Sequence, residues 1–363
     1  MPIFLAIFFL AAAGAGILLG FDFFLRGGLL VFFDSPFYLG AGFFFLILVC
    51  LLVILLIFNL FQRRWNNFLR TNYLFWAIYF GFVTILFFEF PLFYFANAFF
   101  TLPRFALEVI VPVSAFLLTI FAAWEGQRIA VKKIQISTNG ISRDFKIAHI
   151  SDLHLGPIFG HEFLADVVAR TNALAPDFVV LTGDLFDTAD GANHAVLAPL
   201  RDLRAPIYFV FGNHDIRLKS PDFDEIFARS PLRILRDEHT HFADEIEIVG
   251  LDGFEFDRSA SHDYLANLHV KDKFRLLLSH APINFAKSRA AEIDLQLAGH
   301  LHGGQIFPFN LVIKLFFFPF VSGFYEKHNV KVHISPGTGT WGPPLRLGSQ
   351  NEITIIHLQK KAE

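Results

Sequence analysis

Four long apolar stretches lie in the first third of the chain, at about 2–25, 37–61, 73–95 and 104–124. Each approaches or exceeds the roughly 20 apolar residues that a helix needs to cross a bilayer. From about residue 131 the rhythm changes to short β-branched or aromatic runs separated by polar segments. The runs are 146–151, 178–182, 207–211, 246–250, 274–279, 295–299, 330–335 and 352–358. They are apolar without alternation, as strands buried on both faces must be. Residues 162–174 and 282–292 carry helical spacing. The pattern predicts a transmembrane region over 1–125, a linker and first strand over 126–145, and an α/β domain over 146–363.

Composition sharpens this division. Residues 1–125 contain neither Lys nor His, and all fifteen histidines lie beyond residue 148. The first apolar stretch lacks a basic n-region and is followed by three more, so it is expected to be a retained helix rather than a signal peptide. Arg63, Arg64 and Arg70 follow the second stretch, and Arg128, Lys132 and Lys133 follow the fourth. The positive-inside rule then puts both termini and the α/β domain on the cytoplasmic side of the plasma (inner) membrane. Glu89 and Glu108, near Pro91 and Pro103, are expected at the outer membrane interface. A transporter is disfavoured, because the apolar stretches show no broken-helix pattern. The net charge of −3 and the lack of a basic stripe leave nucleic acid out as a partner. Cys50 is the single cysteine, which excludes an intrachain disulfide and a cysteine-rich zinc site.

Five of the predicted strands end in potential ligands: Asp152 and His154 in "SDLHLG", Asp184 and Asp187 in "GDLFD", and Asn213, His214 and Asp215 in "GNHD". His280 follows in "SHAP", and His300 and His302 in "GHLHGG". An α/β sheet gathers its site at strand carboxyl ends. Buried together without a cation, so many acids and imidazoles would be costly. Oxygen and imidazole donors without thiolate favour Mn²⁺, with Fe or Zn²⁺ as alternatives. The number of donors fits two divalent ions about 3.5–4 Å apart, bridged by one carboxylate.

These motifs, D-x-H, G-D-x-x-D, G-N-H-D, the single His280 and G-H-x-H, occur in order across about 145–358. They resemble those of the calcineurin-like metallophosphoesterase superfamily. The "GHLHGGQ" loop and the "SPGTGTWGPPLRLG" segment look closest to its bacterial membrane-associated phosphodiesterase-like branch. The resemblance implies a four-layer α/β/β/α sandwich and a metal-dependent phosphoric ester hydrolase. It implies that Asp152, His154 and His302 hold one metal, that Asn213, His280 and His300 hold the other, and that Asp184 bridges them. It also implies that a hydroxide between the metals attacks phosphorus, and that His214, oriented by Asp187, assists the leaving oxygen.

Arg346 is a candidate grip for a phosphate oxygen. His149 is expected to point into the sheet. His161, His262 and His328 either line a pocket or are scattered surface histidines, and Asp215 either secures its loop or touches substrate. The segment 306–327 is apolar right after the last ligands, and Phe316, Phe317 and Phe318 are consecutive. It either completes the core or dips into the bilayer beside the site. The second option predicts a lipid-linked phosphodiester or pyrophosphate substrate. The alternatives are a phosphatase or cyclic-nucleotide phosphodiesterase that uses the membrane only as an anchor, and a non-enzymatic membrane sensor or scaffold.

Overall fold

The computed structural model describes Val49 and residues 66–100, 109–189, 191–218, 223–252, 259–268, 271–316 and 319–361. The expected spans at 2–25 and 37–61 fall outside these residues, Val49 excepted, and so does Glu108. Contacts divide the described residues into a helical unit, 66–100 with 109–123, and a second unit from Trp124 onward.

The helical unit contains α1 (Asn67–Phe100) and most of α2 (Val111–Glu125). Asn66 starts α1 by accepting a hydrogen bond from the Leu69 amide at 2.9 Å. The helix is longer than the expected 73–95 at both ends. Arg70 therefore lies within it rather than in a loop, and Pro91 lies inside it, as the expected span already had it. Glu89 sits inside α1 and accepts a hydrogen bond from Ser114 on α2 at 3.0 Å. Among the described residues, one helix is long and apolar enough to cross a membrane, over Asn67–Asn97; α2 is apolar but shorter.

The second unit is built on two six-stranded mixed sheets. The first holds β1 (Ile129–Thr138), β2 (Phe145–Ile150), β3 (Phe178–Thr182), β4 (Ile207–Val210), β5 (Leu232–Ile234) and β12 (Asn351–Lys360), in the order β1-β12-β2-β3-β4-β5. The second holds β6 (Glu238–Phe242), β7 (Ile246–Gly250), β8 (Phe274–Leu278), β9 (Leu295–Ala298), β10 (Gly323–Lys327) and β11 (Val330–Ile334), in the order β10-β11-β9-β8-β7-β6. Neighbours from β2 to β5, and β11-β9-β8-β7, are parallel. The carboxyl ends of the central strands in each sheet therefore point one way.

Side-chain alternation explains the continuous apolar runs. Phe145, Ile147, Phe178, Val180, Tyr208 and Val210 face a core shared with Ile246, Ile248, Leu276 and Leu297 of the other sheet. Ala148, Ile150, Val179, Leu181, Ile207 and Phe209 face outward, onto Leu164, Val167 and Val168 of α3 (His161–Ala173). Val249 and Leu277 pack on the outer face of the second sheet with Leu265 and Ile293. Helix, sheet, sheet and helix thus stack around three apolar seams.

All eight apolar runs form strands, shifted by a residue or two. β5, β6 and β10 had no apolar run to mark them: β5 is three residues long, and β6 and β10 are largely exposed edge strands. The segment 306–327 turns out to be composite. A short helix spans Phe309–Phe316, and Phe307, Leu311 and Leu315 are exposed. Further on, Val321 is buried and the ring of Phe320 meets Phe285 and Tyr325.

Candidate metal centre

The candidate ligands stand immediately after strand ends, on loops bent by unusual backbone. Asp152, His154, Asp184, His300 and His302 all have positive φ, between 49° and 75°. Among residues with a Cβ, Asp and His are two of the few that tolerate this region. Glycines supply the remaining room. A Cβ on Gly299 would overlap the Asp152 carboxylate, and one on Gly212 would overlap that of Asp184.

The side chains converge in three overlapping groups whose nitrogen and oxygen atoms lie within 4.8 Å of one another: Asp152, His154 and His302; His154, Asp184 and His214; and Asp184, His280 and His300. The Asp152 and His280 groups meet where His154 Nε2 is 3.7 Å from Asp184 Oδ2, and within the latter His300 Nδ1 is 3.2 Å from His280 Nε2. Asn213 leads the short helix α4 (Asn213–Arg217) and brings Oδ1 to 3.1 Å from His280 Nε2.

Their other atoms are engaged by supporting groups. His280 Nδ1 lies 2.8 Å from the Thr182 carbonyl, and His154 Nδ1 lies 3.2 Å from Asp187 Oδ1. These contacts leave both Nε2 lone pairs aimed inward, as metal-ligating histidines require. Ser151 donates to Asp152 Oδ2 at 2.5 Å, and the amide of His214 donates to Asp184 Oδ1 at 2.8 Å.

A cation fits this donor set. His154 Nε2 faces His302 Nε2 at 3.1 Å, where two imidazoles can share at most one proton, and the buried His302 Nδ1 has no hydrogen-bond partner among the described residues. Burial, with the neighbouring His280, lowers His300 to about 3; burial, with His154 and Arg346, holds His302 well below its usual range. Both are therefore neutral, as ligands must be. Burial opposes charge on Asp184, yet His280 and His154 hold its carboxyl below the usual range. The reciprocal field of Asp184 and Asp152 overcomes burial and pushes His280 up to about 10. That negative field is the one a divalent ion would meet.

His214 lies at the edge of this group, with its side chain 18% exposed and Nδ1 3.2 Å from Asp187 Oδ1. Asp187 thus serves His154 and His214 together. Burial disfavours the imidazolium of His214, but the Asp187 hydrogen bond and the carboxylates of Asp184, Asp187 and Asp215 raise its pKa. Asp215 is fully buried and accepts from the Phe186 and Gly212 amides at 3.1 and 2.9 Å. It therefore ties two ligand loops together.

Arg346 corrects an expectation. It is fully buried and committed to the protein rather than available to a phosphate. Its guanidinium donates to Asn351 Oδ1, Ser349 Oγ and the carbonyls of His302, Pro336 and Gly339. His149 points between the sheets, with Nδ1 2.9 Å from His333 Nδ1 and Nε2 2.8 Å from Thr182 Oγ1. His161 and His328 are exposed and join no metal-capable cluster among the described residues, while the side chain of His262 is not described. Sequence reading overlooked Ser151, Thr182 and Gln305. Only the position of Ser151 and Thr182 at strand ends, and of Gln305 next to the histidine–glycine loop, could have flagged them.

Comparison with known proteins agrees with this chemistry. A family model described as calcineurin-like phosphoesterase matches residues 145–304. An uncharacterized metallophosphoesterase of Campylobacter jejuni is 31% identical over 268 residues, covering 70% of this chain and 71% of that protein. An uncharacterized metallophosphoesterase of Aquifex aeolicus is 30% identical, over 68% of this chain and 98% of its own length. A transmembrane protein with metallophosphoesterase domain from Danio rerio is 32% identical over 64% of this chain, and the match spans 56% of that relative's length. With these likenesses added to the loops that gather its acids and imidazoles, the chain belongs to the calcineurin-like metallophosphoesterases, a family of metal-dependent phosphoesterase hydrolases.

Proposed function

We propose that the protein is a membrane-anchored dimetal phosphoesterase that hydrolyses a phosphodiester or pyrophosphate bond in a lipid-linked substrate. The observation that carries the reading is the pair of ligand clusters meeting at Asp184. Asp152, His154 and His302 would hold one ion and Asn213, His280 and His300 the other, with Asp184 shared between them. Two divalent cations held there, Mn²⁺ in the first instance, would supply positive charge for the phosphoryl oxygens and lower the pKa of bound water towards neutrality. His214 carries its proton on the solvent side of the centre and delivers it to the leaving oxygen as the P–O bond breaks. Asp187 fixes the ring by accepting from Nδ1, which leaves Nε2 to face the substrate.

Membrane association draws on α1, on the exposed apolar side chains Phe75, Phe95, Phe116 and Leu117 of α1 and α2, and on the membrane-protein relative. Four spans with a cytoplasmic catalytic domain remain part of the proposal. The lipid-linked substrate draws on the exposed Phe307, Leu311 and Leu315, which follow closely on His302. A phosphatase or cyclic-nucleotide phosphodiesterase with the membrane as anchor is the second reading. It draws on the Aquifex aeolicus relative, which the match fills along 98% of its length while using 68% of this chain.

The test is hydrolysis of a chromogenic phosphodiester and a phosphomonoester by metal-stripped full-length protein, with and without added Mn²⁺. Metal-dependent release that Asp184→Asn abolishes is the expected result. No release and no bound metal would overturn the dimetal reading. Leu311→Ser combined with Leu315→Ser should lower turnover of a vesicle-borne lipid phosphodiester more than that of a soluble one. Equal loss on both substrates would mean that the segment is structural.

A further inference from the structure

Trp341 stands at the mouth of the metal centre, and the proposed hydrolysis gives it no role. It is 49% exposed, and its ring lies 5.9 Å from that of His214, nearly edge-on at 70°. A single exposed aromatic is ordinary on a protein surface. The way this one is held is not. Gln305 Nε2 donates to the Trp341 carbonyl at 2.9 Å and to that of Pro343 at 3.0 Å, while Gln305 Oε1 accepts from the Trp341 amide at 3.1 Å. One side-chain amide thus reproduces both hydrogen bonds of a β-ladder rung. Gln305 adopts φ 49° and ψ −56°, a sparsely populated conformation for a residue with a side chain.

The other end of the Trp341 loop is fixed by Arg346, which donates to the Pro336 and Gly339 carbonyls at 2.7 and 2.6 Å and to the carbonyl of the candidate ligand His302 at 2.5 Å. Trp341 is therefore held in register with the metal centre from both sides, as a pre-organised contact requires. The surroundings define what it could bind. Residues 335–345, "SPGTGTWGPPL", contain no charged side chain, and Thr338 and Thr340 are buried. The exposed Phe307 lies two residues from Gln305. Along 335–345 this rim offers an apolar face and no charged side chain.

We propose that Trp341, clamped by Gln305, forms a subsite for the aliphatic chain carried by the phosphoester, next to His214. The proposal rests on the dimetal reading and specifies the substrate that the centre accepts.

The test measures binding of a series of n-alkylphosphonates, methyl to octyl, by calorimetry. The full-length protein is used in nanodiscs loaded with Mn²⁺, and heats from empty nanodiscs are subtracted. Phosphonates do not turn over, so monoester or diester preference does not enter. We expect affinity to rise at least about tenfold from methyl to octyl, since burying each methylene contributes several-fold at most. Trp341→Ala should cut that rise to threefold or less, Trp341→Phe should retain most of it, and Gln305→Ala should flatten it with the indole still present. Equal affinity for every chain length in the unsubstituted protein would overturn the subsite, as would a Trp341→Ala loss that is the same for methyl and octyl. Failure of every phosphonate, octyl included, to bind with Mn²⁺ in place would also overturn the subsite, whereas failure to bind Mn²⁺ at all would instead overturn the dimetal reading.

Discussion

Arg346 shows how far a residue's type can mislead about its use. Its motif resembled a phosphate grip, yet all of its nitrogens donate within the protein, and one of them holds the His302 carbonyl. Lysine cannot reproduce that planar fork. Arg346→Lys should therefore destabilise the fold by about 3–5 kcal/mol, the scale for breaking a buried charged network. Chemical denaturation of the full chain measures this, and a loss below 1 kcal/mol, roughly the size of one ordinary hydrogen bond, would contradict it. Asp187 is the converse case, legible because an acid three residues after a candidate bridging acid has an obvious use. It accepts from two imidazoles, so Asp187→Asn should lower kcat by about 10–100-fold and weaken Mn²⁺ binding as well. Unchanged Mn²⁺ affinity in the variant would mean that its contact with His154 does not matter.

Strands β2, β11 and β12 carry a second polar feature, buried between the sheets. His149 on β2 meets His333 on β11, and His333 Nε2 lies 3.3 Å from Glu352 on β12. Glu352 in turn pairs with Lys132 on β1 at 2.8 Å, where the Lys side chain reaches solvent. Burial, reinforced by His333, holds His149 well below its ordinary 6.5, so the folded chain keeps it neutral. The unfolded chain takes up this proton below 6.5 and the folded chain does not. The resulting stability is complete above 6.5 and is lost as pH falls. His149→Gln should flatten the slope of unfolding free energy against pH below 6.5 by up to about 1.4 kcal/mol per unit. Urea titrations at several pH values check this; an identical slope in the variant would rule out His149 as a contributor. The strands were legible because both faces are apolar, whereas β5, β6 and β10 lack the side chains that would mark them. The His149 contact was legible only as an inward direction. Its partner lies 184 residues away and shares no motif with it.

Across the whole molecule, the ligands come from five loops, on both sheets, that hydrogen bonds such as those accepted by Asp215 already join. A bound metal pair then stabilises the native chain through every loop at once. Removing it with a chelator should lower the unfolding midpoint, by an amount equivalent to about 4 kcal/mol at a free metal concentration a thousand times Kd. Thermal scans with and without Mn²⁺ measure this, and Asp184→Asn should abolish the difference. The ligands themselves were readable because acids and imidazoles repeated at the ends of apolar strands add nothing to packing and cost free energy unless a cation joins them. The clamp at Trp341 was not, because hydrogen bonds from a glutamine leave no pattern in the sequence. The left-handed backbone at Asp152, His154, Asp184, His300 and His302 has a consequence for how such a site can change over generations. Asp, Asn and His tolerate that conformation, and β-branched or bulky apolar residues do not. Exchanging one donor for another therefore costs the backbone little, while erasing a donor adds strain to the loss. Drift in such a protein should alter which metal it prefers before it alters whether it holds one.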